Sequence, residues 1–158
     1  MRAYLRRLGW RRVLLRAALL LVGLFALAQA VPYGRSHTNP PVLQEPRWDA
    51  PQTRALAVRA CFDCHSNETK WRWYSKIAPV SWLIQSDVDS GRGTLNFSEW
   101  NRPQEAGDAS EAVRGGGMPP WYYVIMHANA KLSASEKDAL ARGLQATFAA
   151  SPPKGGGG

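Results

Sequence analysis

No acidic residue occurs before Glu45. The whole chain carries a net charge of +8, a value that invites a nucleic-acid reading. Six of its 20 Lys and Arg, however, are Arg2, Arg6, Arg7, Arg11, Arg12 and Arg16, which leaves 14 basic against 12 acidic residues from position 31 onward. The basic excess belongs to the N-terminal segment rather than to a binding face, so nucleic acid is excluded as a partner. Cysteine is scarce as well: Cys61 and Cys64 are the only two. No thiol is left over to pair with either in a disulfide. There is no second cysteine pair to complete a zinc site, for which only His37 and His127 remain as further nitrogen donors. The βαβ context of a thioredoxin-type dithiol is also missing.

What is present is Cys61-Phe62-Asp63-Cys64-His65, the attachment motif of a c-type haem. Each thiol can add to one vinyl group, and the imidazole that follows is placed under the porphyrin as an axial ligand. About one helical turn separates the two cysteines, which suits that chemistry. Seven tryptophans in 158 residues imply a dense core or flat contacts with a large planar ligand.

The N-terminal segment reads as an export signal or an anchor. Arginines up to position 16 precede Ala17 to Ala28, a run without a polar side chain, and Ala28-Gln29-Ala30 fits a small-residue cleavage pattern. Uncleaved, Val13 to Val31 would extend roughly 28 Å at ~1.5 Å per residue, enough for a bilayer core of about 30 Å. In either case the arginines stay in the cytoplasm and the rest is exported. The retained anchor is the favoured form, with the remainder on the periplasmic or extracytoplasmic side of a bacterial cytoplasmic membrane. Release to the periplasm after cleavage at Ala30 is the alternative.

Five prolines between Pro32 and Pro51 predict an extended segment, with Trp48 available to fix it to a domain surface. Asp49 and Pro51 mark a helix start, and the helix that follows delivers the cysteines with a small alanine face. Trp71, Trp73, Tyr74 and Trp82 are candidates for the core or the haem edge, and Arg72, Lys76 and Arg92 for counter-charges to its propionates. Helices are predicted at Ser81–Ser90, ended by Gly91 and Gly93, and at Gln104–Arg114. Ser133 and Glu136 form a capping box, and Leu140, Leu144 and Phe148 share one face of a terminal helix that should cross the cysteine-bearing one. The expected divisions are 1–31 as signal or anchor, 32–50 as extended segment, 51–150 as haem domain and 151–158 as flexible tail.

A second axial ligand is suggested by Gly115-Gly116-Gly117-Met118-Pro119-Pro120. A thioether suits haem iron, and Met opposite His raises the reduction potential relative to a second His. The glycines let the backbone approach a flat cofactor, and the prolines stiffen the loop. His127, Met126, His37 and an open position are the competitors to Met118.

The order of parts resembles a class I c-type cytochrome, and more narrowly the bacterial haem-binding domain family of membrane-anchored, single-haem proteins. The resemblance rests on Pro32 to Arg35, Asn39-Pro40-Pro41, Cys61 to Thr69, Trp73-Tyr74-Ser75, Ile77 to Leu83, Asn96 to Trp100, Met118-Pro119-Pro120 and His127. It implies an all-α, cytochrome c-like fold around one haem held covalently through Cys61 and Cys64, with His65 and Met118 on the metal. The function expected is single-electron transfer with redox partner proteins at the membrane. A haem enzyme or sensor for peroxide or a diatomic gas, with an open or labile sixth position, is the alternative.

Overall fold

The computed structural model describes residues 2–154, with side chains from Gly9 onward; the four closing glycines of the expected tail lie outside the described residues. The architecture is all-α, as expected. Among the described residues seven α-helices follow in order: α1 Arg2–Ala30, α2 Pro51–Ala60, α3 Phe62–His65, α4 Val80–Thr94, α5 Ala109–Arg114, α6 Trp121–Met126 and α7 Ala134–Ala150. Short 3-10 turns occur at Trp73–Lys76 and Ala128–Ala130. No strand occurs among the described residues, and one parallel bridge pairs Gln44 with Glu99. The chain forms two compact units, Met1–His37 with Arg72–Gln85, and Thr38–Trp71 with Ser86–Gly158.

In the first unit, the most apolar 18 residues within Gly9–Ala30 of α1 have a mean hydropathy of 2.1. That length and composition fit either a membrane span or a signal sequence. The His37 imidazole donates from Nε2 to the Ser75 carbonyl at 2.9 Å.

The second unit is built on an α2–α7 crossing, as the alanine face of α2 predicts. Ala57 and Leu140 are fully buried, and Gly143 lies so close to Thr53 that a side chain there would collide with its hydroxyl and methyl. The Ser133–Glu136 capping box forms in both directions. Asp49, the expected cap of α2, does something else. Ala50 occupies the N-cap, while the Asp49 N–H donates to Thr147 Oγ1 at 3.0 Å and Asp49 Oδ1 accepts from that hydroxyl at 3.1 Å. The residue ties the start of α2 to α7.

Aromatic rings fill the interior beside this crossing. Trp48 packs on Phe97 (centroids 5.2 Å) and Phe62 (6.3 Å), and Trp100 stacks on Phe148 (5.1 Å) and Phe97 (6.1 Å). Trp48 thereby fixes the proline-rich segment. That segment is further held where Leu43 and Gln44 donate to the Ser98 carbonyl and Trp100 N–H donates to Gln44. Below it, Asn96 Nδ2 donates to Asn67 Oδ1 (2.8 Å), Asn67 N–H to Ser98 Oγ (2.9 Å) and Ser98 N–H to Asn96 Oδ1 (2.9 Å). All three residues are buried, and the closed web supplies partners that water cannot. Glu45 is held below the usual carboxylate range, chiefly by its hydrogen bonds from Arg54.

Three elements differ from expectation. The helix ascribed to Ser81–Ser90 starts one residue earlier and continues through Gly91 and Gly93 to Thr94. The Gln104–Arg114 helix shrinks to Ala109–Arg114 because its first residues are captured elsewhere. The Gln104 side chain bonds the Asn96 N–H and donates to the Glu99 carbonyl, and Glu105 N–H donates to Thr94. Finally, the start of the tail is anchored: the Ser151 carbonyl accepts from Trp100 Nε1 at 2.7 Å, and Pro153 is buried.

Candidate functional site

The cysteine motif lies where α2 stops. Cys61 leaves helical geometry (φ −124°, ψ −35°), and its carbonyl accepts from the N–H groups of Cys64 (3.1 Å) and His65 (2.9 Å), which starts α3 at once. The resulting turn is pressed against α4. A Cβ on Gly91 would stand 2.5 Å from the Cys64 carbonyl oxygen and 3.1 Å from Cys64 Cβ, so only glycine permits the approach. This contact explains why a helix interior carries a glycine that sequence pattern reads as a stop.

His65 is oriented by the segment after α4. Its Nδ1 lies 3.0 Å from the Leu95 carbonyl, which can only accept, so Nδ1 carries the proton and Nε2 keeps its lone pair. Burial pushes the imidazole pKa down, against the pull of the Leu95 and Gly91 carbonyls. A neutral ring with an oriented Nε2 is the form in which histidine binds a metal.

Beside the motif opens a cavity of about 320 Å³, lined by Cys61, Cys64, His65 and Met118. Ligand pockets run from about 300 to 1,000 Å³. Leu95, Phe97, Ala109, Ala112, Val113 and Leu144 supply its apolar wall. Met118 enters from the loop after α5, where its N–H donates to the Ala112 carbonyl at 3.0 Å, and the residue is 38% exposed. His127 and Met126 do not line the cavity; the His127 ring stacks on Tyr123 (4.0 Å), with Nδ1 2.9 Å from the Tyr123 carbonyl. His37 belongs to the first unit.

Both cysteines are free, and burial is the main cause pushing each thiol up to about 12. That is the reverse of the lowered pKa of a redox dithiol. Among the described residues no group of three or more His, Cys, Asp or Glu could hold a metal ion, so a zinc site lacks donors. Two thiols, one imidazole and one thioether around an apolar cavity fit a haem instead.

The expected aromatics and cations do not line this cavity. Trp71, Trp73, Tyr74 and Trp82 are absent from its wall, and Phe97, Tyr122 and Tyr123 stand there. Arg72 and Lys76 belong to the first unit. Arg92 is consumed by the Ser66 and Thr38 carbonyls, Asn39 Oδ1 and Thr69 Oγ1. The charged residues at the cavity are all acidic: Asp63, Asp87, Glu105 and Asp108. Tyr123 donates to Asp63 Oδ2 at 2.7 Å and Tyr122 to Asp87 Oδ1 at 3.3 Å. Burial raises the Asp87 pKa above the usual carboxylate value, against the Tyr122 hydrogen bond. Asp63 had a signal in its place inside the motif, whereas Asp87 and Tyr122 are 35 residues apart and meet only in the folded chain.

No curated protein and no solved structure matches the chain. The sequence model of the haem-binding domain family matches residues 23–146, which takes in the cysteine motif, the cavity wall and the Met118 loop. The chain belongs to the haem-binding domain family, and it binds haem.

Proposed function

We propose that the chain is a single-electron carrier whose haem is joined covalently to Cys61 and Cys64, with His65 and Met118 as the two iron ligands. The observation that carries this reading is the shared cavity: both cysteines, His65 and Met118 line one wall system. When bound, the haem supplies an iron that exchanges one electron. The protein's residues do the rest. Cys61 and Cys64 would hold the group in one register, each adding its S–H across one vinyl double bond. Leu95 keeps His65 in the tautomer that presents Nε2. The wall from Leu95 to Leu144 excludes water from that side. The Ala112 carbonyl pins the Met118 loop, so the thioether would be held in one place for the iron in either oxidation state.

In this reading α1 is a retained anchor, and the haem domain, residues 51–150, works on the extracytoplasmic side of a bacterial membrane. The tether raises its encounter rate with membrane redox partners through effective concentration.

Visible spectra of the purified holoprotein in both redox states test it. The ferric parent is expected to show the far-red band of Met–iron ligation, and the ferrous parent to leave added carbon monoxide unbound. Met118→Ala is expected to lose that band and bind carbon monoxide at once. A variant spectrum identical to the parent's removes Met118 from the iron. A high-spin parent that binds carbon monoxide immediately replaces the carrier with a sensor or enzyme.

A further inference from the structure

The first unit contains no Asp or Glu, so every acidic residue of the chain lies in the second. Beyond α1 the first unit carries Arg35, Arg72 and Lys76, all exposed. It also exposes large apolar groups: Trp73 at 76%, Leu83 at 51%, Tyr33 at 47% and Val80 at 44%. Apolar and basic side chains interleaved without a single acid suit an anionic, partly apolar surface.

The position of this surface along α1 is set by one side chain. Gln29 Nε2 donates to the Ala78 carbonyl at 2.8 Å, and Gln29 Oε1 accepts from the Ala78 N–H at 3.1 Å. Both halves of the amide are used, and Ala78 is fully buried beneath it. Arg35 closes the same junction by bonding the Gln29 carbonyl. Gln29 is one residue from the end of the apolar stretch Gly9–Ala30. At ~1.5 Å per residue, whatever is bonded to its side chain stands at the depth where that stretch ends.

We infer that the Arg72–Leu83 segment, with Tyr33 and Arg35, is a membrane-seated collar, its Trp73, Val80 and Leu83 dipping among anionic lipid headgroups on the outer surface. The inference rests on the reading of α1 as a retained span. Trp73 and Tyr33 take the interfacial place that amphipathic rings favour. Arg35, Arg72 and Lys76 lay their stems on apolar surface and hold their charges at phosphate level. The collar makes the end of α1 a stiff junction rather than a free linker, because the Gln29–Ala78 pair ties the helix to the segment on the lipid surface.

Depth measurement by spin labelling tests it. The full holoprotein is placed in nanodiscs of phosphatidylethanolamine and phosphatidylglycerol, with nitroxides at Trp73→Cys, Leu83→Cys, Leu20→Cys or Ala149→Cys, and labelled parent chain subtracts any signal from Cys61 and Cys64. Collisions with dissolved oxygen are compared with those of a water-soluble nickel chelate. Labels at 73 and 83 should show an oxygen-to-chelate ratio several-fold above that at 149 and below that at 20. Labels at 73 and 83 matching the water value of 149, while 20 reports acyl depth, overturn the collar and leave the span standing. A water value at 20 overturns both.

Discussion

Replacing Trp100 with alanine is expected to cost about 3–5 kcal/mol of folding stability, the range for emptying a buried large aromatic site. Trp100 is 1% exposed and stacks on both Phe97 and Phe148, so its loss opens a space bounded by rings that cannot collapse without leaving their own partners. Its Nε1–H is also the donor that fixes the Ser151 carbonyl at 2.7 Å. Urea unfolding of the holoprotein, followed through near-UV dichroism, measures the loss. Trp100→Phe separates the two contributions: it keeps most of the stack and gives up the hydrogen bond, at about 1 kcal/mol. An alanine variant with a midpoint close to the parent's would show that the aromatic stack is not what holds the second unit together.

The second large effect concerns two glycines two residues apart in one helix. Gly91→Ala drives a methyl to 2.5 Å from the Cys64 carbonyl oxygen, a backbone atom that cannot swing aside. We expect an overpacking cost of about 1–3 kcal/mol and a displaced Cys64–His65 turn, seen as a lower yield of haem-loaded protein. Gly93→Ala meets nothing within 4 Å, and on helix propensity alone it should stabilise by about 0.5–1 kcal/mol. Opposite signs at the two positions are the expected result, read from urea midpoints and from haem content per chain. Equal effects of the same sign would mean that the close approach of α4 to the cysteine turn does not position the site.

These two glycines also show where sequence reasoning stops. Local signals transferred well. The Ser133–Glu136 box closes over three residues, and Leu140 and Leu144 are buried on the face that their spacing marks. The alanine face of α2 meets α7, and Trp48 ties down the proline-rich segment. Gly91 was legible only as a helix stop, because its real constraint is a backbone 27 positions away. Gln104 looked like the start of a helix until Asn96 and Glu99 offered its amide better partners. Asp49 was a sound cap by type, but the Thr147 hydroxyl nearly a hundred residues later claims its side chain. Cys61, Cys64, His65 and Met118, which line one cavity, stand out in the sequence because two short motifs carry them. The cavity's tyrosine–carboxylate pairs do not, since each joins elements with no shared pattern. The aromatic middle misled for a related reason. Richness in rings does not tell which rings face inward, and Trp73 is 76% exposed.

The central claim is that two thioethers fasten the haem to Cys61 and Cys64. It is tested most directly by expressing the full chain with a haem-maturation system, unfolding the purified protein in acid acetone and weighing the pellet by intact-mass spectrometry. The expected result is a coloured pellet whose chain mass is raised by one haem, with no thiol left to alkylate. A colourless pellet of unmodified mass, with pigment in the solvent and two alkylatable thiols per chain, would contradict it.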